Sequence, residues 1–210
     1  MTLRAVAHGE ARVGETHDRG FLSDVERGYF ARFGHVKREL EFLAGRLAVR
    51  RALTALIGEL PPLAIEREDD GAPRVIGLSP THDVVVSITH AGTRALAIAA
   101  HGPYPIGVDL TEWTDAARIR RVARRAFPRA HERDLVLVDD RTAARAWAMK
   151  EAVAKSLRMG LLEQAGFERI EVVSVEAPRV TIQGDDRVVT LELEDLDDGV
   201  RAIALVIAAR

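Results

Sequence analysis

The chain has 210 residues, 47% hydrophobic and 5% aromatic, and 30 Lys and Arg against 32 Asp and Glu leave a formal net charge of -2. That content suits one compact domain or two small ones, and the near-balance of charge argues against global steering of nucleic acid. No cysteine is present, which excludes disulfides, thiolate zinc sites and thiol nucleophiles.

No apolar run is long enough for a signal peptide or a membrane span, so a cytoplasmic protein that does not enter the membrane is expected. Leu40, Leu43, Leu47, Arg50, Arg51 and Leu56 recur at helical spacing, predicting a helix over 37–60 closed by Pro61-Pro62. Asp69-Asp70-Gly71-Ala72-Pro73 reads as a turn. A strand over 84–90, a turn at 91–94 and a partner strand over 95–100 form a hairpin.

The segment 105–113 reads as a strand with Ile106, Val108 and Leu110 on one side and Gly107, Asp109 and Thr111 on the other. A helix over 141–159 follows, then strands over 170–175 and 188–193, a turn at 195–199 and a last strand over 201–208. ALAIAA near residue 100 is echoed by AIALVIAA at the end. The order of helix, polar turn and hairpin thus recurs, which predicts an α+β fold of two similar halves, 1–103 and 104–210. The join falls in the linker-like His101-Gly102-Pro103-Tyr104-Pro105, with a ligand cleft expected between the halves.

The chain has no phosphate loop, dinucleotide fingerprint, paired-histidine zinc helix or serine elbow. Chemistry-bearing residues gather in two other segments. In Trp147-Ala148-Met149-Lys150-Glu151-Ala152-Val153-Ala154-Lys155, helical spacing puts Trp147, Glu151 and Lys155 on one stripe. Alone, Glu151 and Lys155 read first as an exposed ion pair. Asp109 is an acidic residue inside an apolar strand, with Gly107 leaving room beside it; the alternative is a helix N-cap at Asp109 or Thr111. Taken together, Asp109 and Glu151 are the oxygen pair a hard cation such as Mg²⁺ requires, with Lys155 one turn away for a phosphate.

Gly107-Val108-Asp109, followed about forty residues on by W-A-M-K-E-A-V-A-K, resembles the signature pair of the 4′-phosphopantetheinyl transferase superfamily. Phe42–Arg50 resembles the family's arginine-bearing first helix, Gly71-Ala72-Pro73 its G-[KR]-P turn, and Ser87-Ile88-Thr89-His90 its N-x-S-H strand end. The two-half length is similar to the Sfp-type, pseudo-dimeric class. The resemblance implies Mg²⁺-dependent transfer of the phosphopantetheine arm of coenzyme A to a serine of an apo acyl or peptidyl carrier protein, by a monomer, with Mn²⁺ as a second metal.

By that likeness Asp109 and Glu151 bind the metal, Glu151 also takes the serine proton, and Lys155 contacts the phosphates. Lys150 holds the helix or the ligand. His90 reaches a phosphate, its alternative being a satisfied histidine beside Val84, Val86 and Ile88. Arg46 and Arg50 approach the 3′-phosphate, their alternative being a solvated helix face. Gly71, Ala72 and Pro73 border the adenine, and Ser87 and Thr89 line the pocket. Sfp-type members carry D-x-E where this chain has Asp109-Leu110-Thr111, followed by Glu112, so the third metal ligand is open between Thr111 and Glu112. At Phe127-Pro128-Arg129-Ala130-His131 the family often ends in glutamate, and His131 or Glu132 stands there.

The dense arginines Arg118, Arg120, Arg121, Arg124, Arg125, Arg129 and Arg133 read as a nucleic-acid patch, a solvated helix, or a docking surface for an acidic carrier. The resemblance favours docking, with Arg124, Arg125 and Arg129 as its centre and no nucleic acid as partner. Thr111 keeps open a second reading, a coenzyme A-binding module without catalysis.

Overall fold

The computed structural model describes residues 6–159 and 164–207, and its chain divides into two compact units between Pro103 and Tyr104. Each is a long helix laid on a three-stranded antiparallel sheet, giving the mixed α+β class.

The first unit runs β1 (Val6–Arg12), α1 (Asp24–Phe30), α2 (Val36–Ile57), β2 (Ala64–Arg67), β3 (Pro73–Ile76), β4 (Val84–Ala91) and β5 (Arg94–His101). Its sheet has the order β1-β5-β4, and β2 pairs with β3. The second unit runs β6 (Ile106–Glu112), a 3-10 turn (Trp113–Asp115), α3 (Ala116–Ala126), α4 (Ala130–Val138), α5 (Asp140–Ser156), α6 (Gln164–Arg169), β7 (Ile170–Ser174), β8 (Arg179–Ile182), β9 (Val188–Asp195) and β10 (Gly199–Ile207). Its sheet has the order β6-β10-β9, and β7 pairs with β8. In both units the first strand pairs with the last, and the last closes a hairpin with the strand before it.

Several boundaries differ from the sequence reading. Helix α2 ends at Ile57 because Gly58 takes a positive φ of 82° and its N–H caps Thr54 O, three residues before Pro61. β10 begins at Gly199, inside the expected turn. Position 208 of the expected last strand lies outside the described residues. Strand β1 and helices α1, α3 and α4 were not anticipated as separate elements.

The helices sit close on their sheets. In the first unit Ala44, Ala48, Val49, Ala52 and Leu53 of α2 pack on Ala11, Ala95, Ala97, Ala99 and Val86. In the second, Ala148, Met149, Ala152 and Val153 of α5 join Val200, Ala202 and Ala204 in one core. Small residues on both surfaces bring the backbones together, and one glycine per unit allows the closest approach. A Cβ on Gly9 would lie 2.1 Å from Ala48 O; one on Gly107 would lie 1.9 Å from Ala152 O and 2.7 Å from Ser156 N. Helix backbone held by its own hydrogen bonds cannot step aside as a side chain can. Gly107→Ala is therefore expected to cost on the order of 3 kcal/mol by overpacking, measured from the urea midpoint. Gly28→Ala, which meets nothing within 4 Å in α1, is expected to be neutral or stabilising by up to about 1 kcal/mol.

Candidate active site

Close packing of β6 on α5 sets the site. Asp109 is 6% exposed on the helix-facing side of β6. Its Oδ1 accepts a hydrogen bond from Lys155 Nζ at 2.9 Å, and its Oδ2 accepts one from Thr111 Oγ1 at 2.8 Å. Lys155 Nζ also donates to Val108 O at 2.9 Å. The stripe Trp147, Glu151 and Lys155 thus lies along the site, with the Arg118 guanidinium 5.8 Å from the Trp147 ring centre.

Glu151 is the unusual group. Its pKa is pushed from 4.5 to about 7, first by burial and then by the negative charge of Asp109, against the pull of Lys155 and Arg118. No hydrogen-bond donor is found on its carboxylate among the described residues. The site therefore holds two carboxylates with one short of a partner, and a cation relieves that arrangement. Among the described residues no group of three or more His, Cys, Asp or Glu side chains could hold a metal ion. Two carboxylates still fit a hard ion such as Mg²⁺, which takes its remaining oxygens from a phosphate and water.

Thr111 shares the Asp109 side of β6 and donates to it, whereas Glu112 alternates to the other side and accepts from Thr114 Oγ1 at 3.3 Å. Lys150, adjacent to Glu151, is fully buried. Its Nζ meets Glu132 Oε1 at 2.9 Å and Ala126 O at 2.6 Å. Burial lowers its pKa, and the hydrogen bond and charge of Glu132 oppose that shift. Glu132, not His131, is the buried acid after Phe127, and it also accepts the Val172 N–H at 2.9 Å. His131 is exposed and faces Glu171 at 3.2 Å.

In the first unit, Arg46 and Arg50 converge on Glu26, which is fully buried, at 3.1 Å and 2.6 Å. Burial lowers the Arg46 pKa to about 10, and the Glu26 charge works against that. Glu26 also closes the capping box of α1 with Ser23, a Ser-x-x-Glu signal that sequence reasoning passed over. His90 Nε2 lies 2.8 Å from Glu41 O on α2. Ser87 and Thr89, each 4% exposed, alternate to the other face of β4. Gly71, at φ 88°, turns the chain between β2 and β3, with Ala72 N–H on Asp70 Oδ1 at 2.9 Å and Pro73 opening β3.

The arginine stretch separates by role. Arg120 holds Asp140 and Val136 O, Arg129 holds Glu171 and Glu168 O, and Arg133 holds Phe127 O. Arg121, Arg124 and Arg125 lie on the exposed side of α3. No helix among the described residues is long and apolar enough to cross a membrane.

Residues 28–100 match the model of the 4′-phosphopantetheinyl transferase N-terminal domain, and residues 105–206 match that of the 4′-phosphopantetheinyl transferase superfamily. A comparison with curated proteins returns no match. Among solved structures, a holo-(acyl-carrier-protein) synthase from Bacillus anthracis str. Ames in complex with CoA (3′,5′-ADP) is 22% identical and covers 46% of this chain and 94% of that chain, with a TM-score of 0.41. The two family models account for all of 28–206 except residues 101–104, and the chain belongs to the 4′-phosphopantetheinyl transferase superfamily.

Proposed function

We propose that this chain is an Sfp-type 4′-phosphopantetheinyl transferase, moving the phosphopantetheine arm of coenzyme A to a serine of an apo acyl or peptidyl carrier protein. What carries the reading is the convergence of Asp109, Glu151 and Lys155 where β6 packs on α5: two carboxylates, one short of a partner, beside an ammonium. The repeated helix-on-sheet unit supports the two-half class.

In the proposed reaction the serine hydroxyl oxygen forms a bond to the β-phosphorus of coenzyme A. The pyrophosphate P–O bond breaks, and 3′,5′-ADP leaves with that electron pair. Glu151, raised to about 7, is matched to accept the hydroxyl proton near neutral pH, directly or through a water. Lys155 is proposed to release part of its hold on Asp109 to the pyrophosphate and to offset the charge that develops there. Asp109 and Glu151 would hold Mg²⁺, or Mn²⁺ in its place, and the bound ion would neutralise pyrophosphate charge and orient it. Arg46, Arg50 and His90 are assigned to coenzyme A phosphates, with Gly71, Ala72, Pro73, Ser87 and Thr89 beside the nucleotide. Lys150 supports the helix carrying Glu151. The exposed Arg121, Arg124 and Arg125 are the docking residues for an acidic carrier, and Arg129 supports them from behind its pair with Glu171.

Intact-mass measurement of several apo carrier proteins, mixed with the protein, coenzyme A and Mg²⁺, tests the reading. A carrier that gains one phosphopantetheine mass with metal and not with EDTA is the expected result. Coenzyme A binding without any mass gain would favour the non-catalytic module that Thr111 invites. Absence of binding would remove the reading altogether.

A further inference from the structure

A glycine in the middle of a 22-residue helix is costly, by about 1 kcal/mol relative to alanine, so Gly45 in α2 needs a reason. It has no close approach to a backbone, unlike Gly9 and Gly107. A Cβ at Gly45 would instead lie 2.9 Å from His90 Nε2 and 3.0 Å from His90 Cε1, with Ile88 Cγ2 at an ordinary 3.6 Å. The missing side chain is therefore filled by the edge of an imidazole. The same ring is tied to α2 one turn earlier, where Nε2 lies 2.8 Å from Glu41 O. A carbonyl only accepts, so that contact places a hydrogen on Nε2 and fixes the direction of the ring.

The repeat within the chain shows that the fold does not require this glycine. Gly9 lies under Ala48 and Ala52 as Gly107 lies under Ala152 and Ser156, so α2 and α5 correspond at a spacing of about 104 residues. On that spacing Met149 stands where Gly45 is. His90 pairs with Ala95, two residues before Ala97, the partner of Gly9; Ala202 likewise stands two residues before Ala204, the partner of Gly107, and pairs with Leu193, so Leu193 corresponds to His90. Met149 is buried and Leu193 packs on the same core. Where the strand carries leucine, the helix carries a full-size side chain; where it carries histidine, the helix carries glycine.

We infer that Gly45 and the Glu41 carbonyl form a seat for His90, making Gly45 a positioning residue for phosphate binding. This rests on the proposed role of His90 toward a coenzyme A phosphate. The ring is pinned edge-on to α2 before ligand arrives, so little rotamer entropy is lost when it meets an anion. Alanine at position 45 pushes the end of a side chain, not backbone, so the helix survives and the ring moves.

The test is a thermodynamic cycle on coenzyme A affinity, measured by calorimetry with wild type, Gly45→Ala, His90→Ala and the double variant. Gly45→Ala is expected to weaken binding about tenfold, the order of one charge-assisted hydrogen bond, with a melting temperature equal to or above that of wild type. The double variant is expected to bind no worse than His90→Ala. If His90→Ala weakens binding and Gly45→Ala does not, the seat is wrong. If the two losses simply add, Gly45 acts by another route and the seat is equally wrong. If His90→Ala leaves binding unchanged, the phosphate role of His90 fails first, and the seat has no function to serve.

Discussion

In EDTA, Glu151→Gln is expected to raise the melting temperature of the protein above pH 7 while removing transfer, and Asp109→Ala to remove transfer without that gain. Glu151 ionises at about 7 in the folded chain instead of 4.5, because burial and Asp109 penalise its charge. Below pH 4.5 both folded and unfolded chains hold the proton, so Gln and Glu are equivalent. Between 4.5 and about 7 the unfolded chain has released it and the folded chain has not, so stability falls as pH rises. Above about 7 the loss is complete, and Gln avoids it. The difference in melting temperature should open over that window and then stay constant. Added Mg²⁺ should stabilise wild type at pH 8 and leave Glu151→Gln nearly unmoved, since binding to the folded state alone shifts stability by mass action. Transfer by either variant should fall at least about a hundredfold, as for other preorganised electrostatic groups. An unchanged pH profile in Glu151→Gln, or near-normal turnover, would remove Glu151 from the site.

The parts of the site that one element contributes were legible in the sequence. Alternation along β6 put Gly107, Asp109 and Thr111 on one side, and helical spacing put Trp147, Glu151 and Lys155 on one stripe. What joins elements was not. Lys150 and Glu132 are 18 residues apart, on two helices broken at Asp139, and no spacing rule links them. Strand β1 alternates only the small Ala7, Gly9 and Ala11 with His8, Glu10 and Arg12, too weak an apolar signal to read; it is a strand because it pairs with β5 and because Gly9 lets α2 descend on it. Thr111, open with Glu112 as a third metal ligand in the sequence, is a hydrogen-bond donor to Asp109.

The internal repeat extends to chemistry. Arg51 donates to Glu10 O in the first unit as Lys155 donates to Val108 O in the second. The positions matching Asp109 and Glu151 are Ala11 and Leu47. In the first unit the cation meets a carboxylate from outside the matching positions, Glu15, and in the second it stands between the two acids of the first strand and the helix. The common scaffold is thus a cation on an edge carbonyl, and the proposed catalytic character comes from two acidic residues added to it.

The second large effect is expected at the pair that both units share. Glu26, at the third position of α1, meets Arg46; Glu132, at the third position of α4, meets Lys150. All four lie at matching places in the repeat, and both glutamates and Lys150 are fully buried. Lys150→Met keeps the packing on Phe127, whose ring centre is 4.8 Å from Nζ, but removes the ammonium at 2.9 Å and leaves buried Glu132 only the more distant Arg129 guanidinium at 3.7 Å. We expect a loss of about 3 kcal/mol, the low end for breaking a buried pair, because Arg129 still faces the carboxylate. Glu132→Gln keeps an oxygen for the Val172 N–H and strands Lys150 instead. The double variant strands neither, so its cost should fall short of the sum by about 1–3 kcal/mol. Both tryptophans, Trp113 and Trp147, lie in the second unit, so urea unfolding followed by their fluorescence reads this unit directly. Additive losses would mean that Lys150 and Glu132 act separately. Glu151 would then owe its placement to the packing of Ala152 on Gly107 alone, and not to the buried pair beside it.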